Sequence, residues 1–279
     1  MTLEVAPLTA AIGAELSGVD LRSELDDATI TAIRAALLEH LVLFFRDQPL
    51  EPDEQLRFAL RFGGVSVPAF LTTATAVPEV MVLDQVNPKG DGADRWHVDN
   101  TYMPCPPMGS ILRAVELPEL GGDTLFASMY AAYEALSPVM REFVDGLRAE
   151  HDITKMLANS VSRGLVDVDM DAVRAAWPTV THPVVRVHPE TGRKLLFVNG
   201  NWTTRIVGLS DAESDAVLGY LLAHVQSPEF QCRFRWTPDA VAFWDNRVVQ
   251  HFAVPDYHSR RVMHRVTIEG DAPRGPLRR

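Results

Sequence analysis

The sequence is poor in cysteine: Cys105 and Cys232 are the two in 279 residues, and they lie far apart. Neither a disulfide framework nor a zinc-ribbon spacing can be built from them, and a reducing compartment fits. Long apolar runs are missing as well. The longest clean one near the start, Leu41 to Phe45, is far too short to cross a bilayer. The first residues lack a basic segment followed by an apolar one, so we expect no secretory signal and a cytoplasmic protein without membrane attachment. Basic charge is in deficit too, with 26 Lys+Arg against 37 Asp+Glu and a net charge of −11. A nucleic-acid binder needs a net basic surface to displace counterions, so that class is excluded. A local basic pocket for a small anion is not.

What is present is an ordinary globular mixture, 47% hydrophobic and 23% charged. That rules out a disordered, collagen-like or coiled-coil chain, and the length allows a sizeable core. No linker, repeat or low-complexity tract divides it. We expect one domain over residues 1–279, with a flexible lid at about 64–77 and a short tail at 271–279.

Several elements are legible. Ile30, Ile33, Leu37 and Leu38 follow Asp26-Asp27 at helical spacing, with acidic residues at the start. Leu41 to Phe45 reads as a buried strand. Pro52 suits the first helical position of a helix running to about Phe62. Val80 to Leu83 is a short strand. Ser128 to Leu147 reads as helical with a break at Ser137-Pro138, and Asp171 to Trp177 as a shorter helix. Ser210 and Glu213 form a capping box ahead of Val217, Leu218, Leu221 and Leu222. Strands are expected at Val184 to Val187, Lys194 to Val198, Phe230 to Trp236, Ala240 to Trp244 and Arg261 to Glu269. This mixture lacks a βαβ rhythm, which favours an antiparallel β core decorated with helices, an α+β chain.

Of nine histidines, two keep unusual company. His97 and Asp99 are two apart, and on an extended strand such residues share a face. His251 follows 154 residues later, just past the strand ending at Trp244. Two imidazoles and one carboxylate on one face of a metal suit non-haem Fe(II) used with oxygen. An isolated His-x-Asp is common, however, and a lone histidine more often belongs to core or surface. His40, His182, His188, His224 and His258 have no partner pattern and read as ordinary residues; His151 and His264 lie near segments that matter below. Arg261 and Arg265, four apart on a strand, face one side. A forked guanidinium facing a pocket matches a carboxylate or sulfonate. A solvated edge strand would explain the same basic run.

Together these residues resemble a family, the taurine/alkylsulfonate and phenoxyacetate group of Fe(II)- and 2-oxoglutarate-dependent dioxygenases, and most of all the taurine dioxygenases. The resemblance spans nearly the whole chain. It includes Val42-Leu43-Phe44-Phe45-Arg46-Asp47-Gln48, Trp96-His97-Val98-Asp99, Glu119 to Leu125, Phe197-Val198-Asn199, Thr203 to Val207, Trp244-Asp245-Asn246-Arg247 with Gln250-His251, and Arg261 to Arg265. It implies a double-stranded β-helix, or jelly roll, with the metal at its open end. It implies that His97, Asp99 and His251 bind Fe(II), and that Thr124 and Arg261 hold the distal carboxylate of 2-oxoglutarate. It places Arg265 at the anionic head of a small substrate, taurine or a related alkylsulfonate. O2 is the third reactant, and succinate and CO2 are products, with sulfite if the substrate is a sulfonate. A homo-oligomer, dimer or tetramer, is implied as well.

The sequence departs from the taurine enzymes around the substrate. Pro68 and Leu71 stand where those enzymes carry a lid histidine and tyrosine, and Ala93 where they carry an asparagine. Asn100 replaces a small aliphatic residue, and Met156 and Leu157 replace a serine and a phenylalanine. Apolar groups thus stand where a small zwitterion would need partners, and a buried ammonium without acceptors is expensive. The expected substrate has a larger or less polar tail than taurine: an alkylsulfonate, a sulfate ester or a carboxylate. A Zn2+ hydrolase would explain the triad but gives Arg261 and Thr124 no task. A non-catalytic barrel leaves the ligand set unused.

Overall fold

The run at Leu41 to Phe45 is apolar throughout because both of its faces are covered. Val42 and Phe44 point into one buried cluster, Leu43 and Phe45 into another. The computed structural model describes residues 3–67, 75–88, 92–162 and 167–277. In chain order the elements are β1 Glu4–Pro7, β2 Ala14–Ser17, α1 Asp27–His40, β3 Val42–Phe45, α2 Pro52–Leu60, β4 Met81–Gln85, β5 Gly109–Glu116 and β6 Thr124–Ser128. Then come α3 Met129–Glu134, α4 Pro138–Asp145, β7 Arg148–His151, α5 Thr154–Ser162, α6 Met170–Ala176, β8 Val180–Pro183, β9 Val185–Val187, β10 Lys194–Leu196 and β11 Thr203–Ile206. The last are α7 Asp211–His224, β12 Gln231–Phe234, β13 Val241–Asp245, β14 Val249–Ala253 and β15 Arg261–Ile268.

The major sheet has the order β1-β2-β3-β13-β5-β15-β4, antiparallel except where β2 meets β3. A second sheet, β12-β6-β14, lies against it. Phe44 of the first stacks on Phe234 of the second with ring centroids 3.9 Å apart, and meets Phe126 edge-on at 5.5 Å. Each fully buried phenylalanine contributes roughly 1.5–3 kcal/mol, so these rings help hold the two layers together. The major sheet's outer face is covered by α1 and α2. Gln55 of α2 is buried there and donates to the carbonyls of Ile111 and His264. This is the double-stranded β-helix decorated with helices that the sequence led us to expect.

Local signals held where they were chemical. Asp26 accepts from the Thr29 amide at the start of α1, and Ser210 with Glu213 closes the capping box of α7. The helical stretch after Ser128 breaks at Ser137, which caps α4, with Pro138 at its first turn. The helix opened by Pro52 stops at Leu60, short of Phe62. α5, β5, β6 and β14 carried no legible pattern. In β5, Ser110 shares the inner face with Leu112 and Ala114 while Ile111 lies outside, so no clean alternation forms. After β15, the Val187 amide donates to the Arg274 carbonyl and Arg186 pairs with Asp271. Among the described residues no helix is long and apolar enough to cross a membrane.

Candidate active site

β14 puts His251 on the inner face of the second sheet, opposite Phe126. His97 adds a single rung beyond it: the main chains of His97 and His251 exchange two hydrogen bonds, at 3.1 and 2.9 Å. That pairing sets the two imidazoles side by side, with ring centroids 4.1 Å apart. Asp99 Oδ1 then lies 3.7 Å from Nε2 of each. One ligand atom from each residue fits within 4.8 Å of the others. The expectation of an extended His97–Asp99 strand needs correction. His97 is an isolated bridge residue and Asp99 begins a turn, with Asn100 in the left-handed region at φ 54°. His251 likewise sits within a strand rather than just past one.

The protonation states suit a divalent metal. His97 Nδ1 lies 2.7 Å from the Arg95 carbonyl, so it donates its proton there and leaves the Nε2 lone pair directed at Asp99's side. Burial, then the nearby His97 and Arg265, hold His251 well below the usual histidine range. Burial alone would raise the Asp99 carboxyl. Arg265, His251, His97 and a hydrogen bond from Ser110 outweigh it and hold it at about 2. Two imidazoles and one carboxylate are the donor set of a facial metal site with open positions.

Strand alternation in β15 puts Arg261, Met263 and Arg265 on one side, and Met263 belongs to the cluster between the sheets. Both arginines therefore face inward, and β15 lies between β5 and β4 rather than at an edge. Arg265 Nη1 reaches Asp99 Oδ1 at 3.3 Å and Oδ2 at 3.4 Å. Arg261 is buried, with its guanidinium 5.9 Å from the ring centres of Trp236 and Tyr257. Trp236 also donates from Nε1 to the Thr124 hydroxyl at 3.0 Å. Thr124 lies on the same face of β6 as Phe126, which opposes His251. Gly122, at φ +73°, passes so close to Arg261 that a Cβ there would sit 3.1 Å from its Cδ and Nε. Thr124 and Arg261 thus form a second cluster with Trp236 and Tyr257, two aromatics the sequence did not single out.

Pro68 and Leu71 lie outside the described residues. Ala93 contributes its carbonyl, which accepts from the Ala253 amide. Asn100 serves the turn through its backbone, accepting from the Met103 amide. Met156 and Leu157 belong to α5 and pack on an apolar group of Tyr102, Ile153, Val173 and Trp202. Burial pushes the Tyr102 phenol up to about 12, and it senses the charges of both Arg265 and Asp99, so this apolar group borders the triad. His182 and His188 are buried structural groups: His182 hydrogen-bonds the carbonyls of Thr101 and Met103, and His188 meets Asp245 at 3.0 Å.

Two sheets enclosing a His-Asp-His triad, with Arg265 beside it and Arg261 facing inward on the same strand, define an oxygenase-type β-helix. Residues 4–267 match the model of the Taurine catabolism dioxygenase TauD, TfdA family, and the chain belongs to that family. It is an alpha-ketoglutarate-dependent (2-oxoglutarate-dependent) dioxygenase. The chain is similar to an alkylsulfatase of Acinetobacter baylyi, 39% identical over 279 residues, covering 98% of this chain and 87% of that one. It is equally similar to an alpha-ketoglutarate-dependent sulfate ester dioxygenase of Pseudomonas putida, 39% identical over 282 residues, covering 99% and 92%. A crystal structure of a taurine dioxygenase from Burkholderia xenovorans superposes with a TM-score of 0.85 at 40% identity, covering 99% and 92%.

Proposed function

We propose that the metal is Fe(II) and that the substrate is an organic sulfate ester or alkylsulfonate whose tail is apolar and larger than taurine's. The observation that carries this reading is the position of Arg265, within 3.4 Å of the metal-site carboxylate and bordered by the Tyr102, Met156 and Trp202 group. A guanidinium there meets an anionic head, while the apolar side chains offer an ammonium no acceptor.

His97, Asp99 and His251 would hold the ferrous ion. Bound with 2-oxoglutarate and O2, it would supply the oxidation that turns the co-substrate into succinate and CO2 and hydroxylates a C–H bond next to the anionic group. The protein's own part is placement. Arg261 offers a forked donor to the distal carboxylate of 2-oxoglutarate. Because Trp236 already donates to Thr124 Oγ1, the Thr124 hydroxyl proton is directed elsewhere, and a carboxylate oxygen is the acceptor that suits it. Arg265 fixes the anionic head of the substrate, so the carbon beside the anion faces the metal. Hydroxylation at that carbon makes the carbon–heteroatom bond unstable. A sulfate ester then releases sulfate and an aldehyde, and a sulfonate releases sulfite and an aldehyde.

The test has two parts. Anaerobic addition of Fe(II) and 2-oxoglutarate should produce a weak visible charge-transfer band, which a zinc site would not show. Succinate release should then be strongest with medium-chain alkyl sulfates or alkylsulfonates. Efficient taurine turnover at a low KM would overturn the apolar-tail assignment.

A further inference from the structure

Asp99 sits in a turn, so no strand ladder satisfies its peptide groups. One side chain does so instead. Asn246, fully buried in the connection between β13 and β14, accepts from the Asp99 amide through Oδ1 at 2.9 Å. Its Nδ2 donates to the Asp99 carbonyl at 3.1 Å and to the Pro107 carbonyl at 3.2 Å. Its own amide donates to the Met108 carbonyl at 2.9 Å. The side chain thus grips both peptide groups that flank the Asp99 carboxylate, and it stands five residues before His251.

The connection that carries Asn246 is itself anchored. Asp245 accepts from the Arg247 amide at 3.0 Å and from the Arg247 guanidinium at 2.8 and 2.6 Å. His188 meets the same carboxylate at 3.0 Å. Arg247 Nη1 reaches Glu190 Oε1 at 2.7 Å. Asp245 also donates from its amide at 2.9 Å to the carbonyl of Leu41, which joins α1 to β3. An anchored connection between the two sheets therefore presents one amide side chain to the turn.

We infer that Asn246 is a positioning residue for the metal site: it locks the Asp99 turn to the connection leading to His251, so that carboxylate and imidazole converge before any metal arrives. This inference rests on the triad being a metal site. A ligand whose main chain drifts loses metal affinity even when its side chain is intact, as with other groups that orient ligands.

The experiment titrates the full-length protein with Mn(II), free metal being read by its electron paramagnetic resonance, and records the Tm of each metal-free variant. Asn246→Ala should bind Mn(II) about 10- to 100-fold more weakly than the natural protein. Asn246→Asp keeps the acceptor and loses both donor bonds, so it should also bind more weakly; it is the variant to read if Asn246→Ala does not fold. Ser210→Ala, at the distant start of α7, weakens a helix cap without touching Asn246 or its anchors. It should lower the Tm while leaving Mn(II) affinity within about twofold. Mn(II) affinity unchanged in a folded Asn246 variant, or falling equally in Ser210→Ala, would overturn the positioning role. Failure of the natural protein itself to bind Mn(II) would instead overturn the metal-site reading, and this inference with it.

Discussion

The two halves of the triad are held by different means. His251 lies inside a ladder: β14 pairs with β6 on one side and with the His97 rung on the other. Its ring is boxed by Trp244 at 4.8 Å and Phe126 at 6.2 Å, and its Nδ1 has no hydrogen-bond partner among the described residues. The His97–Asp99 segment has one rung and then a turn. It relies on particular side chains: Asn246 on the Asp99 main chain, Ser110 on its carboxylate, and Trp202 Nε1 on the Val98 carbonyl at 2.8 Å. A ladder spreads its restraint over many bonds and hydrophobic contacts. A turn concentrates it in a few. Damage to the ladder half should therefore reach the whole fold, whereas damage to the turn half should reach the metal first.

The largest effect expected is from the turn itself. His97→Ala or Asp99→Ala should reduce succinate formation to background while the melting temperature of the metal-free protein stays close to that of the natural chain. Trp244→Ala probes the ladder half and should behave oppositely, losing about 3–5 kcal/mol in urea unfolding along with metal affinity. If that variant unfolded normally and lost only metal, the contrast would fail.

Acid titrates the support of the turn. Burial holds His182, which hydrogen-bonds the Thr101 and Met103 carbonyls, at about 4 against an ordinary 6.5. Its folded pKa is depressed, so its contribution is complete above about 6.5 and is lost as pH falls toward 4. The loss is on the order of 3 kcal/mol. A pH series of unfolding curves should show this slope, and His182→Gln should flatten it.

Smaller effects separate the two arginines. Arg261→Ala should weaken 2-oxoglutarate binding about 10- to 100-fold, the range for a charged hydrogen bond, measured by the charge-transfer band. Arg265→Ala should spare that band, impair the primary substrate, and leave 2-oxoglutarate turnover uncoupled from hydroxylation. Smallest of all, Ser210→Ala at the distant start of α7 should cost about 1 kcal/mol of stability and leave Mn(II) affinity alone.

Legibility followed chemistry. Capping residues, the Pro52 helix start and the His-x-Asp spacing were readable because each is local. The strands that build the site, β5, β6 and β14, were not, because Ser110, Thr124 and His251 place polar groups on their inner faces and break the alternation that marks a strand. The conformation of the turn escaped too, since the bonds that set it come from Asn246, 147 residues further along.

Residue types along the chain were sufficient to name two imidazoles, a carboxylate and two guanidiniums as the chemistry, and the resemblance assigned them roles. Tertiary structure decided that His97 and His251 share one rung, that Asp99 lies 3.7 Å from both, and that Arg265 rather than Arg261 stands beside it. Separation along a chain carries no distance until ladders and packed rings join remote segments, and a site assembled across two sheets exists only once they close.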